Sequence, residues 1–154
     1  MARNRVIYQS ESLYVSEGLS SATAVKHEQL TRVQSANYSF SLARLDSIIM
    51  EAPTVSLDFS YYLTEGFNEK ALGFSLADNL NTQFLAGHMG QTSGKNFFIT
   101  TAPEGQDANG VGGTTAGNKV EAVIGFGNAF LSDYSVELAV GSLPTASVSL
   151  ECAK

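Results

Sequence analysis

The sequence predicts a mainly β protein: an antiparallel β-sandwich or barrel subunit built on two long, internally duplicated hairpins, with one or two short helices packed on one face. Apolar and polar residues alternate along two pairs of segments, and the second pair repeats the order of the first. The length suits a single domain over residues 1–154, and 44% hydrophobic against 16% charged residues excludes disorder over most of the chain.

The first hairpin is predicted over about residues 31–64. Apolar residues at positions 55, 57, 59, 61 and 63 alternate with more polar ones, a period of two that a helix cannot place on one face. Residues 35–42 alternate in the same way. The connection over residues 45–52 is predicted to be a loop, and Pro53 suits the start of the second strand.

The second hairpin is predicted over about residues 130–153. Residues 134–139 match residues 38–43 at an offset of 96, and residues 144–150 match residues 53–59 at an offset of 91. The five-residue difference falls in the connection, which turns at Gly141-Ser142. Two matches in the same order, with Pro-Thr opening the second arm of both hairpins, indicate an internal duplication.

Mixed elements are expected to link the hairpins over about residues 65–127. Residues 68–72 favour a helix with Asn68 as its cap, and residues 81–88 favour another turn or two. Residues 103–118 are Gly-rich and predict a long loop. Further strands are predicted at residues 5–10, 13–16, 96–101 and 119–127.

The charge distribution argues against a nucleic-acid-binding protein. Nine Lys and Arg stand against fifteen Asp and Glu, and the cations are scattered, whereas binding to phosphates needs clustered cations. No apolar run approaches the length of a membrane-spanning helix. The one cysteine, Cys152, can form no intrachain disulfide, so we expect folding in a reducing cytoplasm.

No pattern of metal ligands or catalytic residues stands out. His27 and His88 are far apart in the chain and are expected at the surface or at an interface. Residues 105–117 lack the Gly-Lys-Ser/Thr step into a helix that a phosphate loop needs, and no Gly-x-Ser-x-Gly elbow occurs. Glu65 and Glu69 fall at a predicted helix end, where carboxylates usually cap the helix or contact solvent. We therefore expect neither an enzyme nor a bound cofactor or metal.

Both predicted hairpins carry a face that is polar but free of cations. Every second residue along the four strands supplies a hydroxyl, an amide or a carboxylate, whereas an ordinary solvated sheet mixes both signs of charge. This set, called the polar face below, consists of Ser35, Asn37, Ser39, Ser41, Thr54, Ser56, Asp58, Ser60, Asp133, Ser135, Glu137, Thr145, Ser147, Ser149 and Glu151. Its composition indicates a surface that is kept neutral to acidic.

The order and pattern of these segments resemble the tail tube proteins of tailed bacteriophages, the major tail protein family. The resemblance covers most of the chain and rests on order, length and hairpin pattern. The matching stretches are residues 5–10, 32–40, 52–63, 96–105 and 134–150.

Membership of that family would imply a structural virion protein. Each subunit would give four long strands to a barrel around a central channel, with a helix outside, and hexameric rings would stack into the tube that delivers DNA into the host. The polar face would line the channel, where basic side chains would retain DNA, and ring closure would pair the free strand edges. DNA would pass without specific binding.

The resemblance also implies partners and a location. The main partner is the chain itself, and others are a tape measure protein, a tail terminator and, in a contractile tail, a sheath. The protein would be made in the cytoplasm of the bacterial host and would end in the virion tail.

The connection of the first hairpin is unusually apolar. Four of its residues, Leu45, Ile48, Ile49 and Met50, are large and hydrophobic, and an apolar hairpin tip more often indicates a contact than a solvated turn. In the family such a loop reaches the neighbouring ring, so these residues are predicted to form an inter-ring contact.

Two other classes of function remain open at this point. The chain could be another virion ring or decoration subunit of related fold, at the tail end or on the capsid surface. It could also be a carbohydrate-binding β-sandwich that uses Tyr61, Tyr62 or the loop at Gly105, although the absence of Trp argues against this class. An enzyme is the least favoured class.

Overall fold

A computed structural model describes residues 10–16, 27–41, 44–45, 48–49, 53–75, 94–102 and 122–153. Within these ranges the chain forms short and long strands and one short helix. The elements are β1 Ser10–Ser16, β2 His27–Gln29, β3 Val33–Ser41, β4 Arg44–Leu45, β5 Ile48–Ile49, β6 Thr54–Tyr62, α1 Phe67–Leu72, β7 Lys95–Ala102, β8 Ala122–Glu137 and β9 Thr145–Cys152.

Seven strands form one antiparallel sheet in the order β2-β1-β7-β8-β9-β6-β3, and β4 and β5 pair with each other in the connection of the first hairpin. The predicted fold class, mainly antiparallel β with a short helix, is confirmed. The predicted strands at residues 5–9, the helix at 81–88 and the loop at 103–118 lie outside the described residues. In the described part of the chain no helix is long and apolar enough to cross a membrane.

The two hairpins, β3–β6 and β8–β9, share one strand register. Tyr38 lies opposite Leu57 in the first hairpin, and Tyr134 lies opposite Val148 in the second, at the same sequence offsets of 96 and 91. The two hairpins stay equivalent, pair by pair, up to the last pair before each connection, which contains Ser41 in the first hairpin and Glu137 in the second. Each hairpin then has a bulge near its open end, where the two patterns diverge. The duplicated sequence pattern therefore corresponds to a duplicated pairing.

A local two-fold axis relates the two hairpins. Their inner strands, β6 and β9, are antiparallel neighbours, and Asp58 pairs with Ser149, its own equivalent in the duplication. The pairs Val55–Cys152 and Tyr61–Ala146 are exchanged by the same operation. The axis therefore passes through the sheet at Asp58 and Ser149.

Strand β8 is continuous where the sequence predicted two separate strands. It pairs with β7 over residues 122–129 and with β9 over residues 129–137, so Ala129 faces both neighbours. At Asn128 the backbone has a φ of 54°, and the register with β7 shifts at the same level. Asn128 therefore bends the strand without ending it, and β8 belongs to both halves of the sheet.

The sheet folds over on itself around an apolar core. The rings of Phe59 on β6 and Phe97 on β7 are 6.1 Å apart, and those of Tyr38 on β3 and Phe126 on β8 are 5.5 Å apart, although these strands are not neighbours in the sheet. The inward residues of the hairpins, such as Leu57, are buried in one cluster with those of β1 and β7. Burial of this apolar surface is the main force that holds the two halves together.

Helix α1 begins differently from the prediction. Its N-cap is Gly66, in a left-handed conformation with φ 78°, and not Asn68. Asn68 is buried within the helix, where its Oδ1 accepts a hydrogen bond from the Thr31 amide at 2.8 Å and its Nδ2 donates to the Thr31 carbonyl at 2.8 Å. The side chain that suggested a cap instead ties the helix to the segment before β3.

Candidate functional site

The polar face occupies one side of four adjacent strands, β8, β9, β6 and β3. All fifteen predicted residues lie in these strands, and the cross-strand register aligns them in rows. Most of their side chains are exposed, because the opposite side of the strands packs into the core. One row contains Ser135, Ser147, Ser60 and Ser35, and the next contains Asp133, Ser149, Asp58 and Asn37.

Hydroxyl pairs link β3 and β6 across this face. The Oγ atoms of Ser39 and Ser56 are 2.6 Å apart, and the Oγ of Ser41 and the Oγ1 of Thr54 are also 2.6 Å apart. A further Ser–Ser pair closes the other end of the hairpin at 3.1 Å. Each of these hydroxyls has a partner on the neighbouring strand, so the β3–β6 half of the face presents an ordered polar surface.

The charges of this face are all negative. It holds the carboxylates of Asp58, Asp133, Glu137 and Glu151. Neither Lys nor Arg occurs within residues 33–41, 54–62, 130–137 and 145–152, on this face or on the opposite one. The parity of the sequence missed one member: Phe130, which lies opposite Glu151 and is partly exposed. The bulge between residues 131 and 133 shifts the parity at this point.

The four-stranded section has two open edges. No described strand pairs with the outer side of β3, and none pairs with the β7 side of β8 beyond Ala129. Exposed apolar side chains flank these edges: Tyr38 (50% exposed) and Phe40 (72%) on β3, and Val136 (42%) on β8. The sequence predicted free hairpin edges, but it divided β8 into two strands and so did not predict that the open edge of β8 starts where its pairing with β7 ends.

The two hairpin connections lie at opposite ends of this section. β6 and β9 run antiparallel, so the connection of the first hairpin lies beyond the Val55–Cys152 pair and that of the second lies beyond the Tyr62–Thr145 pair. Of the predicted inter-ring residues, Leu45 pairs with Ile48, and Ile49 pairs with Arg44, in the small β4–β5 hairpin. Met50 lies outside the described residues.

The connection of the second hairpin, residues 138–144, is an ordered apolar tip. The amide of Ser142 donates to the carbonyl of Ala139 at 3.2 Å, and Gly141 has a φ of 88°, which fits the third position of a type II turn. The tip presents Leu138 (76% exposed), Val140 (fully exposed) and Leu143 (65% exposed).

A buried carboxylate joins helix α1 to both hairpins. The Tyr61 hydroxyl donates to Glu69 Oε1 at 2.8 Å, and the Tyr134 hydroxyl donates to the same atom at 3.2 Å. Burial, with the hydrogen bond to Glu69, raises the pKa of Tyr61 far above its usual range, and burial also raises the pKa of Tyr134. The expectation that Glu69 caps the helix or contacts solvent is wrong, because the residue is buried.

The other residues singled out from the sequence can be placed as follows. Tyr61 is fully buried, so it cannot stack on a sugar; of the other two positions offered for a carbohydrate site, Tyr62 is half-buried and the loop at Gly105 lies outside the described residues. His27 is exposed, and its ring meets Phe98 edge-on with 5.3 Å between the ring centroids. Cys152 is buried, and burial raises the pKa of its thiol. Within the described ranges, His, Cys, Asp and Glu form no group of three that could hold a metal ion.

Comparison with known proteins finds a similar fold but no matching sequence. No protein-family model and no curated protein matches the sequence. The fold, however, is similar to that of the SPP1 tail tube protein solved by solid-state NMR and cryo-EM, with a TM-score of 0.56. The alignment is 15% identical and covers 93% of this chain and 74% of that chain. The chain therefore has a tail-tube-like fold, as the sequence resemblance implied.

Proposed function

We propose that this chain is the tail tube subunit of a tailed bacteriophage, and that its copies close into hexameric rings which stack around a channel for DNA. The observation that carries this proposal is the pair of open edges on the four-stranded section, at β3 and at residues 130–137 of β8. The tail-tube-like fold supports it independently.

The two edges are suited to each other. In the order β8-β9-β6-β3, successive strands are antiparallel, so β3 of one copy meets β8 of the next in antiparallel orientation. β3 has nine residues, and the open part of β8, residues 130–137, is one residue shorter. Contact between two different edges is heterologous, and such a contact generates a ring when the rotation between copies closes. Across the section Phe40 on β3 is level with Ala129 on β8, and Val33 on β3 is level with Val136 on β8, so neighbouring copies at the same height bring Phe40 to the Ala129 end of the open β8 edge and Val33 beside Val136.

The polar face lines the channel in this proposal. Its carboxylates repel DNA phosphates, its hydroxyls hold water, and the absence of Lys and Arg from its strands leaves DNA no cation to bind. The Debye length is about 8 Å at physiological salt, so this repulsion acts only near the wall. The face therefore reduces friction during passage and does not prevent entry.

The location and remaining partners follow from the same proposal. The chain is made in the host cytoplasm and becomes part of the virion tail, where it meets a tape measure protein, a tail terminator and, in a contractile tail, a sheath. The apolar connection with Leu45, Ile48, Ile49 and Met50 contacts the neighbouring ring.

Assembly of the purified full chain tests the proposal. Sedimentation and electron microscopy are expected to show rings and tubes that increase with protein concentration. Phe40→Lys is expected to reduce assembly, because it places a charge and removes an exposed ring beside the β3 edge. Phe67→Lys is the matched control, since Phe67 is an exposed aromatic residue on helix α1.

The outcomes separate the alternatives. A wild-type protein that stays monomeric at high concentration overturns the proposal. Closed rings that never stack favour a tail-end or decoration subunit instead. Normal tubes from the Phe40→Lys protein would show that the β3 edge is not in the contact.

A further inference from the structure

Resting on the proposed tube, we propose that the apolar tip of the second hairpin docks into a groove at the opposite end of the sheet in another copy of this chain. The tip is residues 138–144. The groove lies where β3 and β9 end and β6 begins, beside the bend in β8, and its apolar lining includes Phe40, Val55, Phe130 and Ala153.

The tip is prepared for burial against another surface. Residues 138–144 contain no charged side chain, so docking costs no desolvation of an ion. Its three large residues, Leu138, Val140 and Leu143, are all exposed, although large apolar side chains are normally in contact with something. The turn at Gly141 is fixed by backbone and side-chain hydrogen bonds to the Ala139 carbonyl, so little order has to be gained on binding.

The groove matches the tip in size and chemistry. Its volume is about 540 Å³, which lies within the range of roughly 300–1,000 Å³ that accommodates ligands larger than a single side chain. Apolar groups make up most of its exposed wall, and polar side chains, among them those of Ser41, Thr54 and Glu151, supply the rest. Phe40 lines this groove and has the largest exposed fraction among the Phe and Tyr side chains of the described residues.

The positions of the two surfaces decide in favour of a second copy. The tip follows the Tyr62–Thr145 pair, and the groove lies at the Val55–Cys152 pair, seven residue steps away along the strands. At ~3.3 Å per residue this is roughly 23 Å, so the tip cannot reach the groove of its own chain. Each copy thus offers one tip and one groove at opposite ends, and a contact between them repeats without closing. Such a contact extends a stack, whereas the strand edges close a ring.

Disulfide trapping tests the contact directly. The pair Val140→Cys and Ala153→Cys is introduced with Cys152→Ala, which removes the native thiol. A disulfide needs Cα atoms within about 7 Å, so the pair cannot close within one chain. We expect oxidation of assembled protein to give a ladder of covalent dimers, trimers and longer species, reversed by reductant. An equimolar mixture of the two single-cysteine proteins is expected to stop at dimers.

Controls make the result specific. Val123→Cys replaces Ala153→Cys in a control pair, since Val123 is exposed on β8 away from the groove, and this pair is expected to give no ladder. Val140→Cys alone is expected to give no dimers. In a second measurement, Val140→Asn with Leu143→Asn is expected to leave rings intact and to shorten tubes at least tenfold.

Two results would overturn the contact while leaving the tube itself standing. The first is tubes of normal length with no ladder, together with unchanged tubes from the Asn variant. The second is efficient dimers from Val140→Cys alone, which would place two tips against each other. A wild-type protein without any assembly would instead overturn the proposed function, and the docking with it.

Discussion

Removal of the Tyr61 hydroxyl should destabilise the fold more than removal of any exposed hydroxyl. Tyr61→Phe leaves the ring in the core but deletes the 2.8 Å hydrogen bond to Glu69 Oε1. Both residues are buried, so water cannot easily replace the lost donor. Hydrogen bonds to charged groups contribute about 1.5–3 kcal/mol, and we expect a loss of that size in the free energy of unfolding.

The second phenol should contribute less. The bond from Tyr134 to the same oxygen is longer, 3.2 Å, and Tyr134 is only partly buried, so solvent can replace part of it. Tyr134→Phe should therefore cost ~0.5–1.5 kcal/mol. The double variant should cost more than the sum of the two, because each phenol partly compensates the carboxylate when the other is absent.

Urea unfolding at a concentration where the protein is monomeric measures these differences. In thermal unfolding the Tyr61→Phe change should lower Tm by roughly 3–12 °C, at about 2–4 °C per kcal/mol for a chain of this size. Tyr38→Phe is the control, because Tyr38 is half exposed, and it should change stability by less than about 0.5 kcal/mol. If Tyr61→Phe is no worse than this control, the buried carboxylate does not hold helix α1 to the hairpins.

Three further predictions concern pH, the channel and stacking. The pKa of Tyr61 is raised on folding, so the contribution of its hydroxyl to the free energy of unfolding is complete below the unfolded pKa of about 10 and is lost as pH rises above it. Unfolding measured from about pH 8 to 11.5 should show this loss of stability, and the pH dependence should be weaker in the Tyr61→Phe protein. Ser56→Lys with Ser147→Lys should give tubes that retain DNA in a salt-dependent way, measured by co-sedimentation, and equal retention by wild-type tubes would contradict the channel assignment. Ile48→Ser with Ile49→Ser should shorten tubes without changing monomer stability, since each buried side chain would contribute about 1.5–3 kcal/mol to stacking, and unchanged tube lengths in micrographs would contradict that role.

The sequence was sufficient where the signal was local. The period of two along the hairpin strands, and the matching offsets of the duplication, predicted both hairpins and placed all fifteen polar residues on one side of the sheet. Side-chain direction in a strand depends only on parity, so a correct strand gives a correct face. The exception is Phe130, where the bulge before Asp133 changes the parity, and a bulge has no clear sequence signal here.

The errors arose where a residue has a distant partner. Asn is a residue type that often caps helices, but Asn68 bonds to Thr31, which is 37 residues away in the chain. Gly66 is the N-cap of the helix instead. Glu69 looked solvated because its two phenol partners lie on different hairpins. Likewise, the predicted strand ended at residue 127, whereas pairing with strands on both sides keeps β8 continuous through Asn128. These features depend on tertiary contacts that local patterns do not contain.

The local two-fold axis between β6 and β9 has a consequence for the two ends of a tube made of this chain. Turning the four-stranded section end over end exchanges its two hairpins and restores nearly the same arrangement of paired residues. A wall lined only by such sections would look alike from either opening. A difference between the two ends of such a tube therefore has to come from parts outside this symmetry, such as the longer connection with β4 and β5 at one end, the compact tip at the other, and the extension of β8 toward β7.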